Sequence, residues 1–180
     1  MMKILVIVGA KKNGQTDKLT GQFVKGALSA GHEVETVNLF TLKNIHGCID
    51  CQTCKKNGDT CIWKDDVTPL MEKVIAADIL VFSSPVYFFS ITSQLKQFMD
   101  RTYAVMEQIK NKKFYFIATA AGPSADYADD FKKVVEPVQG WLDCFEGMEF
   151  VKMLSFYDTG SMDVSETEVY KEAENVGAAI

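Results

Sequence analysis

A glycine-containing loop near the start of the chain has residues that can bind an anion. Residues 9–16 read Gly-Ala-Lys-Lys-Asn-Gly-Gln-Thr, after an apolar run at residues 4–8 and before a helical segment. A strand, such a loop and a helix N-terminus together present backbone N–H groups to a phosphate. The spacing follows the Walker pattern except that Gln15 occupies the lysine position, and the Rossmann glycine pattern is absent. With the neutral donors Asn13, Gln15 and Thr16, the loop suits a single terminal phosphate on a larger ligand. A plain strand-to-helix turn is the alternative.

Two further loops carry residues suited to a flat ring. Residues 83–90 read Ser-Ser-Pro-Val-Tyr-Phe-Phe-Ser, and residues 119–124 read Thr-Ala-Ala-Gly-Pro-Ser. The first combines aromatic side chains with proline and small hydroxyl residues, whereas the second is small enough to let the backbone approach a ligand closely. Together they predict an apolar slot bordered by backbone polar groups. The alternative is that Tyr87, Phe88 and Phe89 pack under the next helix.

Four of the five cysteines lie close together in the sequence. Cys48, Cys51, Cys54 and Cys61 follow the spacing C-x2-C-x2-C-x6-C. Thiolates three residues apart can converge on one inorganic core, as in the ferredoxin motif, although the last gap of that motif is shorter. Free or structural thiols, a zinc ion and a reversible disulfide are the alternatives, and zinc usually takes two separated pairs. Cys144 stands apart, and we expect it in or near the core.

These residues require elements that bring them together. Four apolar runs predict strands buried on both faces, and an alternating segment at residues 34–37 predicts an edge strand. Segments with helical periodicity lie between them, which predicts a doubly wound α/β sheet of five parallel strands. In such a sheet the ligand lies beyond the carboxyl ends of the strands, where the three loops would meet. The apolar runs are Ile4–Val8, Ile79–Phe82, Phe114–Ala118 and Glu149–Leu154.

Length and charge limit the classes of function. The 180 residues predict one domain, 1–180, with a cysteine-containing insert at about 38–64. The net charge of −5 disfavours a nucleic acid or an anionic membrane as the main partner. No apolar run is long enough to span a bilayer, and the N-terminal segment lacks the features of an export signal. We therefore expect a cytoplasmic protein with reduced thiols.

Two stretches together with the first loop resemble a known family. Residues 84–88 read Ser-Pro-Val-Tyr-Phe and residues 94–101 read Gln-Leu-Lys-Gln-Phe-Met-Asp-Arg. With residues 9–16 they resemble the NAD(P)H-dependent FMN reductases of the flavodoxin superfamily, over nearly the whole chain. The resemblance implies a flavodoxin-like sheet with strand order 2-1-3-4-5 and helices on both faces. In this chain Ala10, Lys12 and Gln15 stand where the family often has serine, arginine and asparagine.

The resemblance also implies a cofactor site. The FMN phosphate would lie at the first loop and the isoalloxazine at the other two. The implied phosphate contacts are Gly9, Ala10, Lys12, Asn13, Gln15 and Thr16. The implied ring contacts are Pro85, Val86, Tyr87 and Phe88, with Ala121 and Gly122 flanking the ring from the third loop. The spacing of the cysteines resembles that of the iron–sulfur flavoprotein branch, which implies a 4Fe–4S cluster on Cys48, Cys51, Cys54 and Cys61.

The activity implied is that of an oxidoreductase that takes hydride from NAD(P)H and passes electrons to a small-molecule or protein acceptor. No side chain is needed as a general acid or base, because the cofactor carries the chemistry. Assembly into a homodimer or homotetramer would bring two cofactors close together. The competing class is a non-enzymatic electron carrier of the flavodoxin or iron–sulfur flavoprotein type. A phosphate-loop nucleotide hydrolase is a third hypothesis, which Gln15 disfavours.

Overall fold

The apolar runs form a five-stranded parallel sheet in the computed structural model, which describes residues 1–123 and 130–180. The strands are β1 (Lys3–Val8), β2 (Glu33–Asn38), β3 (Ile79–Pro85), β4 (Lys113–Thr119) and β5 (Glu149–Phe156). Their spatial order is β2-β1-β3-β4-β5, and every neighbouring pair is parallel. The predicted fold class and strand order are confirmed, and the alternating segment is the edge strand β2.

Five α-helices in the described residues cover the sheet. They are α1 (Gln15–Ser29), α2 (Leu70–Ala76), α3 (Ser93–Arg101), α4 (Asp130–Leu142) and α5 (Glu168–Ala178). Single turns or short segments of 3₁₀ helix occupy Leu39–Thr41, Cys54–Lys56, Thr102–Gln108 and Val164–Glu166. In the described residues, no helix is both long enough and apolar enough to cross a membrane.

The alternation of side chains along β1 divides the core into two layers. Leu5 and Ile7 face the layer that contains residues of α2, α3 and α4. Ile4, Val6 and Val8 face the opposite layer, which α1 and α5 cover. Because successive side chains of a strand point to opposite faces, a continuous apolar run serves both layers. Helices therefore lie on both faces, as predicted.

Two helical segments differ in detail from the sequence expectations. The helical spacing of Ile91, Leu95, Phe98, Thr102 and Val105 in the sequence predicts one helix, but the structure changes from α-helix to 3₁₀ geometry at Thr102. The stripe that starts at Val67 becomes α-helical only at Leu70, because residues 65–69 form a turn whose N–H groups are capped by the carboxylate of Asp65.

The carboxyl ends of β1, β3 and β4 lie side by side and position the three loops. Val8 pairs with Ser83, and Pro85 pairs with Thr119. Gly9 follows β1 directly, and a Cβ at this position would lie 2.7 Å from Thr92 Oγ1 and 2.9 Å from Leu95 Cβ. Only glycine permits this approach to the start of α3. The first loop is thereby held against the loop that follows β3.

Candidate functional site

The loop at residues 9–16 leaves backbone donors available at the start of α1. Gly14 precedes the helix and provides no side-chain cap, while Asn13 has a left-handed φ of 61° and donates its N–H to Asp17 Oδ2 at 2.8 Å. Within the described residues, no protein acceptor faces five other N–H groups of this loop and helix turn, those of Ala10, Lys11, Lys12, Gln15 and Thr16. Unpaired N–H groups at a helix N-terminus can bind an anion, because they donate hydrogen bonds and the helix dipole adds a positive potential there.

The side chains of Gln15 and Thr16 have protein partners. The Gln15 amide nitrogen donates to Asp163 Oδ2 at 3.3 Å, and its oxygen accepts from the N–H of Val164 at 2.8 Å. The buried Thr16 hydroxyl lies 2.7 Å from that of Thr119. These side chains hold the loop in place, so an anion would meet their backbone N–H groups. Their contact with phosphate stays a prediction, as does that of Gly9, Ala10, Lys12 and Asn13.

Asp163 is a residue near this loop that the sequence analysis missed. It accepts hydrogen bonds from Lys18, Gln15 and Ser165, and the Lys18 ammonium above all holds the pKa of this carboxyl well below its usual range. The carboxylate therefore stays ionised and fixes residues 163–165 against α1. No local signal marks it, because it lies 148 residues from Gln15 in the sequence.

Two threonines connect the three loops. Thr92 is buried, donates its hydroxyl to Gly9 O at 2.9 Å and donates its N–H to Ser84 Oγ at 2.9 Å. Thr119 bonds to Thr16, and its carbonyl accepts from the N–H of Val86 at 2.8 Å. Buried hydroxyls at the strand ends thus connect the loop at residues 9–16 to the loop at residues 83–90 in the absence of a ligand.

An apolar cleft of about 320 Å³ opens beside these loops. Its lining residues are Val86, Phe88, Phe89, Ala120, Ala121, Gly122, Phe131 and Tyr157. The structure thus brings together four of the predicted ring contacts, Val86, Phe88, Ala121 and Gly122. Pro85 and Tyr87 are not among the described residues that line the cleft, and Ser124 lies outside the described residues. Phe131 and Tyr157, in edge-to-face contact at 4.3 Å, were missed because they come from distant elements.

The turn at one side of the cleft has an unusual backbone. Tyr87 and Ser90 exchange two backbone hydrogen bonds, and the two residues between them, Phe88 and Phe89, have φ of 48° and 59°. This left-handed conformation normally selects asparagine or glycine. Phe88 is fully exposed, so the alternative that it packs under the next helix is wrong for this residue. Strained backbone held at a cleft indicates a functional surface.

The four clustered cysteines line one shallow depression together with Trp63, Arg101 and Tyr103. All four are free thiols, with Cys48 and Cys51 exposed, Cys61 half-buried and Cys54 buried. Hydrogen bonds from Thr53 lower the pKa of the Cys51 thiol. No three His, Cys, Asp or Glu side chains in residues 1–123 and 130–180 meet where they could hold one metal ion. The expectation for Cys144 is wrong: it is exposed on α4's C-terminal side.

The backbone around Cys51 has an unusual conformation. Asp50 and Gln52 both adopt left-handed conformations, with φ of 52° and 55°. Within the described residues, no protein acceptor is found for the N–H groups of residues 47–50 and 52, whereas the backbone N–H of Thr53 bonds to the Cys51 sulfur. Left-handed residues in a turn direct successive N–H groups to one side, as in many phosphate and iron–sulfur sites.

A buried ion pair lies where the two ends of the cysteine-containing segment, residues 46 and 65, meet. Asp65, which follows the last cysteine, binds both terminal nitrogens of Arg101 at 2.6 and 3.1 Å. His46, which precedes the first cysteine, donates its N–H to Asp65 at 3.0 Å and stacks on Trp63 at 4.0 Å. Burial alone would raise the pKa of Asp65, but the bonds from Arg101 and His46 hold it well below its usual range.

The chain is similar to known proteins in sequence and in fold. The sequence model of the family described as NADPH-dependent FMN reductase matches residues 2–140. An iron–sulfur flavoprotein of Archaeoglobus fulgidus is 34% identical over 124 residues, which are 67% of this chain and 56% of that protein. The match therefore spans little more than half of that relative's length.

Two solved structures share the fold. An NAD(P)H:quinone oxidoreductase from Methanothermobacter marburgensis superposes with a TM-score of 0.75 at 15% identity, over 98% of this chain and 94% of that one. An FMN-dependent NADH-azoreductase from Bacillus anthracis, in complex with FMN, gives 0.73 at 15% identity, over 99% of each chain. These likenesses establish the fold alone. Because the family model covers well over half of the sequence, the chain belongs to the NADPH-dependent FMN reductase family.

Proposed function

We propose that this chain binds FMN at the carboxyl end of its sheet, oxidises NAD(P)H and passes the electrons to a small-molecule or protein acceptor. One observation carries the proposal: a loop with acceptor-free N–H groups and an apolar cleft lie at the same sheet edge, tied together by Thr92 and Thr119. A ligand with an anionic tail and a flat apolar ring matches both parts. Family membership supports FMN as that ligand.

The phosphate of FMN would be held chiefly by backbone N–H groups. The N–H groups that have no protein acceptor among residues 1–123 and 130–180 are those of residues 10–12 and 15–16. Lys12 is an exposed residue of this loop, and its ammonium adds positive charge near these N–H groups. Gln15 and Thr16, whose side chains are bonded to the protein, keep these donors at fixed positions. Such preorganisation lowers the entropic cost of binding.

The flavin ring would lie in the cleft beside Val86, Phe88, Ala121 and Gly122, next to Pro85 and Tyr87. FMN supplies the hydride-accepting and electron-donating chemistry when it is bound. Tyr157 is the one ionisable side chain among the described lining residues. The lining residues therefore orient the ring and exclude water from one face of it. Phe88, fully exposed at the rim, would cover an incoming nicotinamide or acceptor.

We propose further that Cys48, Cys51, Cys54 and Cys61 hold a 4Fe–4S cluster. The thiols share one depression, and the N–H groups of residues 47–50 and 52, which have no protein acceptor within the described part of the chain, suit an anionic iron–sulfur core. Among the described residues the four thiols do not meet at one point, so a zinc ion and a cluster alike require them to move together. The free volume between the thiols is about 20 Å³, so a cluster requires the exposed segment at residues 48–52 to move outward. The similar Archaeoglobus fulgidus protein is named an iron–sulfur flavoprotein.

An electron carrier is the second candidate function, because the name of that relative specifies cofactors and no substrate. The deciding experiment is anaerobic purification, a visible spectrum, and addition of NADH or NADPH. Rapid bleaching of bound FMN is expected for the oxidoreductase. No bleaching with either nucleotide would contradict it and favour the carrier, and absence of any flavin binding would refute both.

The cluster is tested by matched cysteine variants. Cys54→Ser is expected to lose iron, inorganic sulfide and the broad brown absorbance, because it removes one ligand. Cys144→Ser is the control, since this exposed thiol lies outside the depression. Wild-type protein without iron after anaerobic preparation, or equal iron in both variants, would exclude the cluster.

We also propose that residues 1–180 form one domain with an insert at about 38–64, and that it works in the cytoplasm as a homodimer or homotetramer. The exposed aromatics Tyr87, Phe88 and Phe89 at the rim of the cleft support assembly through that side. Light scattering after size exclusion is expected to give two or four times the chain mass of 20.1 kDa. A monomer at all concentrations would contradict this.

A further inference from the structure

The cleft beside the three loops is apolar, but a cation lies at its rim. Phe89 lines the cleft, and the ammonium of Lys133 lies 4.7 Å from the centre of its ring. Lys133 is an exposed residue of α4, and it comes two positions after Phe131, a buried residue that lines the cleft. Helix α4 therefore contributes an apolar side chain to the cleft and a positive charge to its edge.

The contact with Phe89 restrains the position of this charge. An aromatic face attracts a cation, which favours one location for the end of an otherwise long and flexible side chain. The turn that carries Phe89 is itself held by two backbone hydrogen bonds between Tyr87 and Ser90. The ammonium of Lys133 thus contacts the residue that follows Phe88, the fully exposed side chain that we expect to cover the nicotinamide.

The phosphates of a pyridine nucleotide require a cation outside the cleft. Tyr157 is the one ionisable side chain among the described lining residues, so these residues offer no positive charge to a substrate. The N–H groups of the loop at residues 9–16 and the ammonium of Lys12 are assigned to the phosphate of FMN. A nucleotide whose nicotinamide lies beside Phe88 has its pyrophosphate only one ribose away, beyond the apolar lining. Lys133 lies at this rim.

We propose that Lys133 binds the pyrophosphate of NADH or NADPH at the rim of the cleft while the nicotinamide lies against the flavin. The inference rests on the proposed function and adds the residue that recognises the charged part of the hydride donor. An ammonium donates charge-assisted hydrogen bonds to phosphate oxygens, and such bonds are about twice as strong as those between neutral groups. Because both nucleotides contain the pyrophosphate, Lys133 lowers KM for both.

The test compares NADH and NADPH with 1-benzyl-1,4-dihydronicotinamide, a hydride donor that has the same reacting ring and no phosphate. Lys133→Met keeps an unbranched apolar side chain against Phe89 and removes the charge. At saturating FMN, we expect its kcat/KM for the nucleotides to fall about 10-fold or more, mainly through KM, because a charged hydrogen bond is lost. Reduction of the flavin by the benzyl compound is expected to keep the wild-type rate. Lys133→Arg retains the charge and should restore most of the kcat/KM for the nucleotides.

Lys171→Met is the matched control. Lys171 is an exposed residue of α5 that pairs with Glu168, and α5 covers the layer of the core opposite to that of α4. Both lysine-to-methionine variants change the net charge by the same amount, so a general effect of charge on the approach of the nucleotide would appear in both. We expect the wild-type kcat/KM in the control. Added salt should lower kcat/KM for the nucleotides more in the wild type than in Lys133→Met.

The outcomes separate this inference from the proposed function. Equal KM for the nucleotides in the wild type and Lys133→Met, or an equal loss in Lys171→Met, would overturn the inference and leave hydride transfer from NAD(P)H in place. A parallel loss with the benzyl compound would also overturn it, because Lys133 would then maintain the shape of the cleft. Wild-type protein whose bound FMN is reduced by the benzyl compound and by neither nucleotide would overturn the proposed function itself.

Discussion

Asp65 shows how one side chain can fix the position of a whole segment. Its carboxylate accepts from Arg101, from His46, and from the N–H groups of Val67 and Thr68. It therefore caps the turn before α2 and closes the cysteine segment at the same time. Bidentate arginine–carboxylate pairs of this kind are geometrically specific, and removal of one partner leaves a buried charge uncompensated.

We predict that Asp65→Asn destabilises the protein by about 3–5 kcal/mol at pH 7, because Arg101 stays buried without its counter-charge. The native carboxyl has a lowered pKa, whereas its ordinary value is 3.8. The ionised Asp65 carboxylate therefore makes its full contribution to folding stability above its ordinary pKa. This contribution is lost as the pH falls from the ordinary pKa toward the native pKa. Urea unfolding should give a constant difference in the free energy of unfolding between the wild type and Asp65→Asn from pH 7 to about pH 4, and a smaller difference below pH 4.

Asp66→Asn is the control for this prediction. Asp66 accepts from the N–H groups of Lys43 and Asn44, and an asparagine oxygen can still accept these bonds. We expect a small loss of stability. A loss at Asp65 no greater than at Asp66, or one that stays constant down to pH 3, would show that the ion pair does not stabilise the fold.

At the scale of elements, the turn between β3 and α3 combines strain with exposure. Two consecutive phenylalanines in left-handed conformation each cost about 1–2 kcal/mol relative to residues that tolerate it. Phe89 recovers part of this through the Lys133 ammonium, 4.7 Å from its ring centre. The cost of this backbone is the reason that we assign the two side chains a role at the cleft.

We predict that the double variant Phe88→Asn, Phe89→Gly raises the free energy of unfolding by about 1 kcal/mol, because Asn-Gly suits this turn. It should also weaken FMN binding, because both phenylalanines line the cleft. Thermal unfolding and flavin fluorescence titration measure the two effects. Asn111→Gly, at another left-handed position with φ of 54°, is the control and should leave FMN affinity unchanged. Unchanged FMN affinity in the double variant would remove the turn from the site.

The contact between α1 and α5 depends on glycine. A Cβ at Gly177 would lie 2.1 Å from the carbonyl oxygen of Phe23, so the helices would have to separate. We predict that Gly177→Ala lowers the free energy of unfolding by about 1–3 kcal/mol. Gly140→Ala in α4 is the matched control: nothing lies within 4 Å of its Cβ, and we expect a gain of about 0.5–1 kcal/mol. Urea unfolding distinguishes them, and equal effects would contradict close packing at Gly177.

At the scale of the whole molecule, the site is formed before the ligand binds. The hydrogen bonds of Thr92 and Thr119 join the ends of β1, β3 and β4, so we expect the loops to move little relative to the sheet when a ligand binds. Binding to a preformed site adds its free energy to the stability of the native state.

We predict that FMN at one hundred times its dissociation constant stabilises the protein by about 2.7 kcal/mol and raises Tm by several degrees. Riboflavin at the same concentration should have a smaller effect, because it lacks the phosphate for which we propose the first loop as the binding site. ATP with Mg²⁺ should have none. Thermal unfolding of flavin-free protein measures all three. Stabilisation by ATP and not by FMN would favour the nucleotide hydrolase hypothesis instead.

The sequence by itself determined the sheet, the layers and the three loops. Continuous apolar runs such as Ile4–Val8 must be buried on both faces, and helical periodicity between them leaves a parallel sheet as the arrangement that covers them. Residues 9–16 and the cysteine spacing could also be interpreted locally, because each depends on neighbours only a few positions apart. These signals are local in the chain, which is why no tertiary structure is needed to detect them.

Only the tertiary structure decided how the side chains are used. Gln15 and Thr16 have polar groups suited to phosphate, yet the first bonds to Asp163 and the second to Thr119. Arg101 belongs to a recognisable motif, but its burial beside Asp65 and below the cysteines depends on how α3 packs against a loop 36 residues away. Hydrogen bonds between distant residues follow from strand register and helix packing, and these are set by the whole core.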